Sequence, residues 1–77
     1  MKRDITLFLN DIFNNSKQIL DFVDEMSYED FAKDNKTIYA VIRALEIIGE
    51  AVKHIPADIK KRNPNIEWKN IAGMRIF

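Results

Sequence analysis

The sequence has no cysteine, only two glycines and two prolines, and no net charge across its 77 residues. Without cysteine there can be no disulfide framework, no cysteine-ligated zinc and no thiol nucleophile, and the absence fits a reducing cytosol. Scarce Gly and Pro leave few places where a chain would turn sharply, which favours long uninterrupted elements. No apolar run approaches the ~20 residues that span a bilayer. At the start, Lys2 and Arg3 are followed by Asp4, Asn10 and Asp11, which break any signal-peptide core. A cytoplasmic protein with no membrane association is expected. Only one histidine, His54, is present. A carboxylate-bridged di-metal bundle draws Glu-x-x-His pairs from two helices, so neither metal nor cofactor is expected. No phosphate-cradling glycine loop, zinc-protease helix or serine nucleophile elbow occurs.

What is present is apolar surface. Hydrophobic residues make up 47% of the chain, including five Phe, two Tyr and one Trp. A chain this short forms one domain at most, and buries roughly 60% of its unfolded surface, so a lone monomer is marginal. Long helices packed against a second copy reconcile a large apolar fraction with a small size. The aromatic content and balanced charge argue against disorder. The charges are unevenly placed. Residues 1–52 carry six Lys/Arg against ten acids, and residues 53–77 carry six (Lys53, Lys60, Lys61, Arg62, Lys69, Arg75) against Asp58 and Glu67. Such a basic end can attract phosphates or complement the acidic half of a partner.

The apolar spacing predicts an all-α, antiparallel helical bundle of two long helices, a short helix and a last helix. The first helix spans 4–26, capped by Asp4, with Ile5, Leu9, Ile12, Ile19 and Val23 in register. Ser27 caps a short turn through Phe31, expected to tuck an aromatic plug under the bundle. Asp34 or Asn35 caps a second long helix running to about Ile55. There Ile38, Val41, Leu45, Ile48, Val52 and Ile55 form a heptad-like seam. A second stripe of Ala40, Ala44, Ile47 and Ala51 reads as a close helix contact, across a dimer among other options. Gly49 lies between the stripes despite a cost of ~1 kcal/mol relative to Ala, which suggests a closely approaching backbone. Pro56 ends the helix, residues 57–62 form a short basic turn, and a final helix begins at Glu67 or Trp68. Tyr28 and Tyr39 read as packing residues.

Two groups of residues are chemical candidates. Arg75 continues the face of Trp68, Ile71 and Ala72. An arginine there needs a carboxylate, a phosphate or water, because it cannot shed its charge; close to the last residue, it can equally be solvated. Glu46, Glu50 and His54 stack at i, i+4 and i+8. They can hold a metal or orient an arginine, or form a solvated face with Arg43 paired to Glu46 and Lys53 nearby, the reading that surface ion pairs favour. His54 reads as a half-exposed histidine at a helix C-terminus.

Two segments, Arg43-Ala44-Leu45-Glu46-Ile47-Ile48-Gly49-Glu50-Ala51 and Trp68-Lys69-Asn70-Ile71-Ala72-Gly73-Met74-Arg75, together resemble the signature stretches of the HepT-like HEPN toxins, which are encoded beside a nucleotidyltransferase antitoxin. The turn from Ser27 to Phe31 and the entry into the second long helix also sit where that family has them. The resemblance implies a single HEPN-like domain over residues 1–77 that lacks the family's C-terminal part. It implies a homodimer or larger assembly with the active cleft at the interface, a nucleotidyltransferase antitoxin as partner, and RNA as substrate. In such proteins an arginine, followed four to six residues later by a histidine, cleaves RNA without a metal. Arg75 matches that arginine, and Glu50 is the residue implied to orient it. The matching histidine, and the tyrosine on which the antitoxin adds AMP, would fall beyond Phe77; Ile76 and Phe77 also differ from the family's polar residue. An impaired ribonuclease toxin is the first expectation. The alternative is a non-catalytic helical dimerisation module that binds the nucleotidyltransferase or another protein.

Overall fold

The computed structural model describes residues 4–73, and every regular element among them is a helix. In chain order these are α1 (Ile5–Val23), α2 (Tyr28–Lys33), α3 (Asn35–Lys53), α4 (Ala57–Arg62) and α5 (Trp68–Ala72). Side-chain caps place the first three boundaries. Asp4 accepts from the Thr6 amide at 2.8 Å and Ser27 Oγ from the Asp30 amide at 3.0 Å. Asp34 ends α2 and begins α3: one carboxylate oxygen accepts from the Thr37 amide at 3.1 Å and the other from the Thr37 hydroxyl at 2.8 Å. Each cap satisfies an amide that lacks an intrahelical partner. Helix α1 stops three residues before the expected end at residue 26. Glu25 takes a φ of 63°, a left-handed conformation that no helix continues through. The basic turn expected over residues 57–62 is a helix in its own right, α4, with Pro56 at its start, where the missing N–H does no harm.

The packing centres on α3, against which α1, α2 and α5 lie. Phe8, one turn into α1, stacks on His54 at the end of α3, so the two long helices run antiparallel. The buried apolar side chains among the described residues are Ala44, Ile48, Ala51, Val52 and Ile55. At 100° per residue they sit between the two stripes read from the sequence, and the stripes merge into one broad face. The alanine-rich stripe is therefore used inside the chain's own bundle. Ala44 and Ala51 are 4% and 3% exposed, because small side chains let α3 be approached from more than one side. Gly49 is buried with them. Phe31 is half-buried in α2, as a plug would be.

Two features depart from the expected packing. Tyr28 and Tyr39 are 83% and 67% exposed, not packed. Tyr28 opens α2 beside its cap, and Tyr39 falls on the polar face of α3, where a phenol keeps its hydroxyl in water. None of the described residues of α1 is fully buried. Ile5, Phe8, Ile12, Ile19 and Val23 are half-buried toward α3, but Leu9, Phe13 and Leu20 form a second stripe facing away, with Phe13 and Leu20 66% and 68% exposed. The molecule is open to match: its radius of gyration is 14.0 Å, against about 11.5 Å expected for a compact chain of this length.

Candidate functional site

The polar face of α3 comes from residues that point away from the core. Arg43, Glu46, Glu50 and His54 are all exposed along it. Glu50 is the junction. One carboxylate oxygen lies 3.3 Å from Lys53 Nζ and the other 3.7 Å from His54 Nε2. The hydrogen bond and charge of Lys53, with a smaller contribution from His54, hold the Glu50 carboxyl below its ordinary range. Glu50 is thus ionised at neutral pH, a hydrogen-bond acceptor and not a proton carrier. Its side chain is 65% exposed, so the ion pair with Lys53 is weakened by solvent and the carboxylate stays open to a stronger partner. A guanidinium fits, since it can engage both oxygens at once. The alternative pairing of Arg43 with Glu46 does not form among the described residues.

The Phe8–His54 contact escaped the sequence reading. The ring centroids lie 4.5 Å apart and the planes differ by 9°. It fixes the imidazole over the start of α1 and beside Glu50, although His54 stays half-exposed. The sequence marks Phe8 only as one more apolar residue of α1. Its register against His54 follows from antiparallel packing, which one helix's pattern does not encode.

The basic end of the chain is organised by α4 and α5. Lys60, Lys61 and Arg62 crowd the last turn of α4, and Asn63 Nδ2 donates to the Ile59 carbonyl at 2.9 Å, closing it. The Trp68 indole N–H donates to the Asn63 carbonyl at 3.1 Å, fastening the start of α5 to the end of α4. Between the two helices lies an open groove of about 480 Å³ lined by Lys60, Ile66, Glu67, Trp68, Lys69 and Ala72. Trp68, Ile71 and Ala72 are half-buried in the helix that packs on α3. Arg75, the other sequence candidate, lies outside the described residues. Among those described, no group of three or more His, Asp or Glu side chains is placed to hold a metal ion, and no helix is long and apolar enough to cross a membrane.

An all-helical, HEPN-like bundle centred on one long helix, with a polar glutamate–histidine face and a basic end, defines the class. A family model for HepT-like ribonucleases matches residues 12–75, and the chain belongs to that family. A protein of Thermococcus cleftensis named probable ribonuclease HepT is 51% identical over 97% of this chain and 68% of its own length. Two proteins of Methanocaldococcus jannaschii, named as candidate RNases, are 49% and 51% identical over 96% of this chain. The chain spans 61% and 64% of their lengths. No solved structure matches it.

Proposed function

We propose that the chain is the ribonuclease subunit of a toxin–antitoxin pair, cleaving RNA without a metal, with Arg75 as its catalytic residue and Glu50 as the group that orients it. The observation that carries this reading is the family match, which runs to Arg75 itself. The ionised, exposed carboxylate of Glu50 supports it. In the reaction the ribose 2′-oxygen attacks phosphorus, its proton leaves to a base, and the bond to the 5′-oxygen breaks as that oxygen gains a proton. Arg75 stabilises the charge that builds on the phosphorane oxygens. The family's proton-moving histidine would follow at positions beyond Phe77. Within residues 1–77, Arg75 and Glu50 are assigned the charge-stabilising part of the site, and a general base typically contributes about 10²–10⁴-fold beyond it. The chemistry is tested by the ends of the products. RNA cut by the purified chain should carry 2′,3′-cyclic phosphates and 5′-hydroxyls, whereas 5′-phosphate ends would contradict the reading.

A second reading, a helical module that acts by binding another protein chain, is favoured by one observation. The outward stripe of Leu9, Phe13 and Leu20 on α1 is left exposed among the described residues. A second copy, or the nucleotidyltransferase of the pair, would cover it. Both readings are compatible with one protein that dimerises and cuts RNA; cleavage separates them when it is absent.

A further inference from the structure

The groove between α4 and α5 combines features that the core does not require. Lys60 stands on its α4 wall and Lys69 on its α5 wall, while Trp68, Ile66 and Ala72 supply apolar surface between them. Ile66 is 41% exposed, a large aliphatic side chain left in water. The one polar atom of the Trp68 side chain is already satisfied by Asn63, so what the indole offers a ligand is its ring. Glu67 also lines the groove and, bonded to a neutral amide, keeps its negative charge. Glu67 accepts from Asn70 Nδ2 at 3.0 Å, and Asp58 lies 3.7 Å from Arg62. Lys61 and Arg62, both exposed, extend the positive charge along α4.

We propose that this groove docks a single-stranded stretch of RNA, with backbone phosphates held by Lys60 and Lys69 and a base resting on Trp68 and Ile66. Single-strand binding sites join a cationic track to an aromatic platform in this way, because every base has a stackable face. The volume lies within the range of small-ligand sites. An acidic protein surface would use the cations but has no need of a half-buried aromatic and an exposed aliphatic side chain between them. The proposal deepens the ribonuclease reading and rests on it: the groove supplies the substrate grip that Arg75, six residues after Lys69 in the sequence, would use.

The test is titration of the full chain with a fluorescein-labelled 2′-O-methyl oligouridine of about 12 nucleotides, which cannot be cleaved because its 2′-oxygen is blocked. Trp68 is the only tryptophan, so its emission reports the groove directly. Saturating RNA should quench it. In the Lys60→Gln/Lys69→Gln variant the slope of log affinity against log salt should fall by about 1.4, and affinity near 0.1 M salt by roughly 25-fold, from two lost single-strand phosphate contacts. A Lys17→Gln/Lys33→Gln control, remote from the groove, should bind as the parent does. Unchanged affinity and slope in the groove variant, or unmoved Trp68 emission, overturns the proposal. If the parent meanwhile cleaves RNA, the ribonuclease reading stands without it; a parent that neither binds nor cleaves loses both. Polyglutamate of matched length binding as tightly as RNA, with the same quench, reassigns the groove to an acidic protein and also overturns it.

Discussion

Asp34 serves two caps, its backbone N–H donating to the Phe31 carbonyl at the end of α2 and its side chain capping α3. It terminates α2, starts α3, and spends both carboxylate oxygens on Thr37. Those bonds favour the charged form, and hold its carboxyl below the ordinary range. A group whose folded value is depressed stabilises fully above its unfolded value, near pH 4, and loses that contribution as pH falls through the lower folded value. Asp4, lowered by its bonds to Thr6, behaves the same way. Thermal stability followed by circular dichroism should therefore be flat from pH 7 to about 5 and decline below pH 4. Asp34→Ala should lower the melting temperature at neutral pH and flatten that acid decline. A variant as stable as the parent at pH 7 would mean the joint is held by packing instead. The caps were legible because Ser and Asp announce themselves before apolar runs. Arg75 and Glu50 stand out in the sequence by their helix faces, but their proposed roles come from family resemblance, since neither spacing nor charge distinguishes a catalytic arginine from a solvated one. The Phe8–His54 stack was not legible, because it depends on the register between two helices.

At the scale of elements, α3 carries the structure. All five buried apolar side chains lie on it or one residue past its cap. Ile48→Ala should cost about 2–4 kcal/mol, the usual range for emptying a buried aliphatic site, which is a large share of the stability of so small a domain. Ala51→Leu examines the merged stripes. If Ala51 faces the chain's own helices, overpacking should cost about 1–3 kcal/mol in urea unfolding, whatever the protein concentration. A penalty that disappears on dilution would place the alanine stripe between chains. Periodicity found both apolar stripes of α3, apart from Ile42, but not that they merge into one face. Hydropathy gives the angular position of a residue, but which helix covers it depends on where α1, α2 and α5 pass.

For the whole molecule, the feature to explain is incomplete burial. An extended bundle with an outward stripe on α1 leaves much of its apolar surface in water, and a second chain would remove it. Sedimentation of the purified chain should show a dimer or larger assembly. Phe13→Glu combined with Leu20→Glu should shift it toward the monomer while α-helical signal is retained. A parent that sediments as a monomer at tens of micromolar would contradict this. Composition had already pointed the same way, since 47% hydrophobic residues exceed what a chain this small can hide.

The central claim is metal-free RNA cleavage that depends on one arginine, and the most direct measurement is the cleavage rate of total RNA in EDTA by the parent chain and by Arg75→Ala. The parent is expected to cleave, undiminished by the chelator, and the variant not at all. Cleavage that requires a divalent metal, that survives Arg75→Ala, or that is absent from both proteins would contradict it.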